Sequence, residues 1–257
     1  MKKYFSLLLI ILCLLSCSAH EKQDSVTEII NLSGNDWYAT FEDNPEFSNP
    51  EFQTVSWTEV TQPSNLRKLD GAYKGVIWIR KTFDLDPTNI KRNIAFSSGK
   101  MYDYDEVYLN GVLIGQNGRR PGDPQGTQYA FNRHRLYPIP LNLILQGNNT
   151  IAIKIKSDFK NYAGIISGEI GIASIHSAND YFTYESQSEL LYLIAFVFIG
   201  IFFFINYIKM KDFREYLAFS IFIIMFSLYE FCKNEIRFWV IDSFLTFKYI
   251  ELIILYN

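Results

Sequence analysis

Cysteine is nearly missing from this 257-residue chain: Cys13, Cys17 and Cys232 are the three present, and residues 18–231 carry no thiol. A folded middle region therefore has no disulfide framework and must rely on its own apolar core, and a cysteine-based zinc site is excluded there. Histidine is as scarce, with only His20, His134 and His176. A multi-histidine metal centre would need distant residues to converge without support from spacing, so neither a metal nor a cofactor is expected. Positive charge is not in surplus either. The net charge is −3 and the basic residues form no stripe interleaved with aromatics, which argues against nucleic acid as a partner. The chain also contains no GxSxG elbow, no HExxH and no phosphate-binding glycine loop, so an enzyme is not expected.

Apolar and aromatic residues are abundant, at 49% and 17%, and their excess gathers at the two ends. Lys2 and Lys3 precede an apolar run from Tyr4 to Leu15, too short to span a bilayer comfortably but suited to the hydrophobic region of an export signal. The run ends in Leu14-Leu15-Ser16-Cys17, which resembles the lipobox of bacterial lipoproteins. That resemblance implies acylation of Cys17 after removal of residues 1–16. An ordinary signal peptide cut after Ala19, or an uncleaved anchor, is the other reading. Residues 1–17 are thus assigned to the signal and 18–32 to a linker.

Residues 33–176 show short β-rich runs broken by Gly, Pro, Asn and Asp, with no long helical period, which predicts an all-β sandwich. Val76 to Phe83 reads as a strand, and Asn93 to Phe96 as the next. Asn110-Gly111 lies between Glu106–Leu109 and Val112–Gly115; this is the strongest short hairpin signal, because both turn residues tolerate positive φ. Thr150 to Ile155 alternates polar and apolar residues, as a half-buried antiparallel strand does. Gly168 to Ile175 closes the domain.

The order of these features resembles the jelly-roll, galactose-binding-like sugar-binding domain of family-two glycoside hydrolases. The matching pieces are Gly34-Asn35-Asp36-Trp37-Tyr38, Trp57 upstream of Pro63, VIWIRKTF from Val76, DEVYLNGVLIG from Asp105, Tyr137-Pro138-Ile139-Pro140, Gly147-Asn148-Asn149 and AGIISGEIGI ending at Ile172. In that family the catalytic carboxylates stand in a separate barrel, and nothing here is patterned as that barrel. The resemblance therefore implies carbohydrate binding without hydrolysis.

Candidate ligand residues are few. Trp78 and Arg80 share a strand face with Val76, either as a stacking platform beside a guanidinium or as a core tryptophan with an arginine at its rim. Asp103, Asp105 and Glu106 are either calcium or sugar-hydroxyl ligands or a solvated turn; side-chain alternation argues against all three converging. The segment Gly118 to Arg135 reads as a long loop carrying Arg119, Arg120, Asn132, Arg133 and His134. Long loops on rigid sandwiches often hold ligands, and a flexible surface connection is the alternative.

After a juxtamembrane linker at 177–189, Leu190 to Ile208 offers 19 residues without charge, about 28 Å as a helix against a hydrocarbon core of about 30 Å. Lys209, Lys211 and Arg214 follow, and the positive-inside tendency places them in the cytoplasm and the β domain outside. A second span is expected over 214–232, returning to a polar break at Lys233 to Arg237. A third begins over 244–257 and stops short of a full crossing, so the bundle reads as truncated. Glu230 and Glu251 sit in or beside these runs, facing either a bundle interior or the water interface. The layout resembles the bacterial seven-transmembrane receptors with diverse intracellular signalling modules. It implies an extracytoplasmic sensor of a carbohydrate or other small ligand, in the cytoplasmic membrane, acting on a cytoplasmic output domain or a partner chain. A surface-anchored adhesion lipoprotein is the competing expectation.

Overall fold

The computed structural model describes residues 28–69, 75–90, 93–101, 104–119, 130, 133–157, 163–240 and 244–256. The export segment, Cys17, Asp103, Arg120 and Asn132 lie outside the described residues.

Among the described residues, ten strands occupy the middle of the chain: β1 (Glu28–Asn31), β2 (Gly34–Thr40), β3 (Thr58–Gln62), β4 (Val76–Leu85), β5 (Ile94–Met101), β6 (Tyr104–Leu109), β7 (Val112–Asn117), β8 (Arg133–Ile139), β9 (Gly147–Lys156) and β10 (Ile165–Ser174). They form two antiparallel sheets, one ordered β1-β10-β5-β8 and the other β3-β2-β4-β9-β6-β7. Alternation decides what lies between them. Ile77, Ile79, Phe83 and Leu85 of β4 and Ile151, Ile153 and Ile155 of β9 meet Phe96, Tyr137, Ile139, Ile170 and Ile172 of the smaller sheet in one core. The sandwich expected from the sequence is present. The hairpin at Asn110-Gly111 is also present, with φ of 49° and 84° at the two turn residues, the backbone that a two-residue turn of this hand requires.

The outer face of the six-stranded sheet is roofed by residues 41–57. There the 3-10 turn Pro45–Ser48 is capped by the Asn44 side chain, and Phe47 and Trp57 pack on Trp78 and Ala152 as a second apolar cluster. Helix α1 (Ile175–Lys209) begins at the residue after β10 and runs 35 residues, about 52 Å at 1.5 Å per residue. Helices α2 (Arg214–Lys233), α3 (Arg237–Val240) and α4 (Phe244–Tyr256) follow. Helices α1 and α2 are long and apolar enough to cross a membrane.

Three boundaries differ from the sequence reading. Residues 28–31, assigned to a linker, pair with β10 as a sheet edge. Residues 177–189 are helix rather than linker: they contain neither Pro nor Gly, and extending a helix already nucleated costs little. Strand β8 starts at Arg133 and pairs with β5 from Met101↔Arg133 to Ile94↔Ile139, which removes Arg133, His134 and Arg135 from the expected loop. Pairing with a long neighbour outweighed the polar composition.

Candidate functional site

Strand alternation places two carriers of chemistry on opposite faces of β8. Arg135 turns into the sandwich. Its Nε donates to Asp105 Oδ1 at 2.6 Å, Nη1 to the Arg133 carbonyl at 2.7 Å and Nη2 to the Ala130 carbonyl at 2.8 Å. The Tyr137 hydroxyl donates to the other oxygen of Asp105. Both charged side chains have no exposed surface, and they link the two sheets, since Asp105 is on β6. Burial works against the charge of Arg135, yet the carboxylate beside it holds the guanidinium above its ordinary range. Burial and the same carboxylate push the Tyr137 hydroxyl up.

His134 turns the other way, toward the helices. Glu235, in the turn between α2 and α3, accepts from the His134 main-chain N–H at 2.6 Å and lies 3.1 Å from its Nδ1. The imidazole lies against Phe182 of α1, with ring centroids 4.4 Å apart. A small cleft at this junction is lined by Ser97, His134, Glu169 and Gly171 from the sheet and Tyr181 and Phe182 from the helix.

The outer face of the six-stranded sheet combines aromatic and charged groups. Trp78 stacks with Tyr108 at 5.7 Å and donates from Nε1 to Asp43 at 3.3 Å. Lys154 pairs with Asp43 at 2.5 Å and stands over the Trp78 ring at 5.5 Å. Lys156 pairs with Glu106 at 3.0 Å, which also accepts from the Tyr108 hydroxyl at 2.7 Å. Burial tends to raise both carboxyls, but their bonds outweigh it: Lys154 and Trp78 hold Asp43 below the usual carboxylate range, and Tyr108 and Lys156 do the same for Glu106. An aromatic ring flanked by fixed donors and acceptors suits a sugar, which offers a C–H face and a rim of hydroxyls.

Several expected ligand residues are used inside the protein. Trp78 is buried under Phe47 and Tyr108. Arg80 is buried too, giving its hydrogen bonds to the carbonyls of Phe47, Asn49 and Pro50 at 3.1, 2.8 and 3.0 Å, and burial lowers the pKa of its guanidinium. It anchors the roof rather than facing a ligand. Asp105 is neither a solvated turn residue nor a free acceptor, because alternation sends it inward to Arg135 while Glu106 points outward. Arg119 and Arg133 are half-buried at the two ends of the segment whose interior, apart from Ala130, lies outside the described residues. Among the described residues, no group of three or more His, Cys, Asp or Glu is placed to hold a metal. The sequence reading did not single out Arg135, Tyr137, Asp43, Lys154 or Glu235. The one available signal for β8 was the apolar alternation of Tyr137 and Ile139, which Arg135 continues in the same phase.

The described chain is thus an all-β sandwich followed by apolar helices. Residues 41–160 match the family model described as the beta-galactosidase second all-beta domain. Beta-glucuronidase 2 of Bacteroides uniformis is 14% identical, with 56% of this chain and 17% of that one covered and a TM-score of 0.43. A glycosyl hydrolase family 2 member of Bacteroides cellulosilyticus is 16% identical over 56% of this chain and 20% of that one, at 0.44. A beta-glucuronidase of an uncultured Clostridium sp. is 14% identical over 60% and 30%, at 0.45. The chain therefore spans less than a third of the length of each of these proteins. No curated protein matches it.

Proposed function

We propose that this chain is a membrane-held extracytoplasmic module that binds a carbohydrate without hydrolysing it and passes the binding event to its helices. The observation that carries the reading is the unbroken helix Ile175–Lys209, which starts at the residue after the last strand and contains the charge-free stretch Leu190–Ile208. A module joined by a helix moves its span when it moves, whereas one on a slack linker does not. The basic residues Lys209, Lys211 and Arg214 support placing the α1–α2 connection in the cytoplasm, which leaves the sandwich outside. The similarity to a β-galactosidase β domain supports a sugar ligand, and the outer-face patch of Tyr108, Glu106 and Lys156 is its proposed seat. The arrangement fits the resemblance to bacterial seven-transmembrane receptors, with an output domain or partner chain as recipient. A ligand shifts the helices only to the extent that its affinity differs between their arrangements.

Two measurements test this reading. Protease added to intact spheroplasts is expected to cleave the sandwich; protection until lysis would remove the topology. The full chain in phospholipid nanodiscs, titrated calorimetrically with hits from a glycan array, is expected to bind, and Glu106→Ala with Lys156→Ala to weaken binding at least tenfold. Absence of any glycan hit rejects the carbohydrate ligand.

A further inference from the structure

Among the described residues, the sandwich meets the helices at two places. One is the start of α1, which continues β10 covalently at Ser174–Ile175 and lies against the sheet through Tyr181 and Phe182. The other is the bidentate contact in which the Glu235 carboxylate, between α2 and α3, meets both the main-chain N–H and the Nδ1 of His134. The two side chains are 10% and 18% exposed, and the flanking Ile236 and Arg237 are buried, so this turn is seated rather than loosely apposed. The imidazole is also held against Phe182 of α1. On the sandwich side, His134 is fixed by its neighbour Arg135, which is locked to Asp105 in the core.

A body attached at one point can swivel without disturbing what lies beyond the attachment. Attached at two points on two different helices, it cannot rotate without displacing one helix relative to the other. We infer that the His134–Glu235 clasp is the second attachment, and that through it the sandwich sets the position of α2 against α1. The inference rests on the sensor reading for its purpose, but the clasp itself is measurable without a ligand. It also accounts for the adjacent placement of an inward arginine and an outward histidine on β8: the first ties the strand to the core and the second ties it to the helices.

The test uses the full chain in phosphatidylcholine and phosphatidylglycerol nanodiscs, with the three native cysteines replaced by serine and pairs of spin labels introduced. One pair joins Val112→Cys on β7 to Leu228→Cys on α2; the other joins Val112→Cys to Tyr192→Cys on α1. All three positions are exposed. With Glu235 intact, both distance distributions are expected to be narrow. Glu235→Ala should at least double the width of the sandwich-to-α2 distribution and leave the sandwich-to-α1 distribution narrow, while His134→Ala, which retains the main-chain bond, falls between. The inference is overturned if the sandwich-to-α2 distribution keeps its width in Glu235→Ala, or if both distributions widen together, since the sandwich would then be turning on α1 as a whole. A failed glycan titration leaves this result intact, and an unchanged distribution leaves glycan binding intact.

Discussion

Arg135 stands at a position where the packing of β8 calls for an apolar side chain, and its charge is accommodated only because Asp105 faces it from the other sheet. Such a pair is weak support for stability as a whole, but removing one partner leaves a buried uncompensated charge. Arg135→Ala is expected to destabilise the sandwich by about 3–5 kcal/mol in urea melts, and Arg135→Met combined with Asp105→Leu to recover most of that loss. The outer-face carboxyls behave differently. Asp43 and Glu106 are held below their unfolded values, so their contribution is fully present above about pH 5 and is lost as pH falls through the folded values. Thermal melts between pH 7 and pH 3 should show that loss, and Asp43→Asn should flatten the profile. Because Asp43 is about half exposed, its share is about 1 kcal/mol or less. The Asp105–Arg135 pair was not legible in the sequence. Arg133-His134-Arg135 reads as polar loop until the strand opposite is known, and register is set by partners far along the chain. Asn110-Gly111 was legible because the backbone requirement is written in the two residues themselves.

Elements follow the same division between local and distant information. The apolar runs announced α1 and α2 without help from context, but not how the two pack. Ser220 of α2 donates to the Gly200 carbonyl of α1 at 2.8 Å, and Ser227 donates to that of Leu193 at 3.4 Å. A Cβ at Gly200 would come within 2.6 Å of Ile224 Cγ1, so the helices approach closely here, as small residues allow in apolar surroundings. Gly200→Leu is expected to weaken the pair by about 1–3 kcal/mol in a reversible detergent titration, with partial rescue by Ile224→Ala. Strand β4 carries a related lesson. Trp78 and Arg80 were placed on one face with a ligand platform and a buried tryptophan both open for it; the face is the buried one, and what covers it was not foreseen. The segment that covers it, Pro45–Ser48 with Phe47 and Trp57, has no periodic pattern of its own and is recognised only by what it packs against.

At the scale of the whole molecule, the sandwich and the α2–α3 turn lie at the same end of the helix pair, as the clasp requires, and the basic α1–α2 connection follows at the far end of α1. The sequence contained no sign that a glutamate in the polar break would meet a histidine about a hundred residues earlier. The direct passage from β10 into α1 has one more consequence. A helix acts as a screw, so its length fixes the compass bearing of whatever sits on top of it. One alanine inserted between Ile175 and Glu189 advances the thread by about 1.5 Å and turns the cap by about 100°. Such an insertion should therefore expose the His134 amide to rapid deuterium exchange, and removing one residue elsewhere in the same stretch should return it to protection.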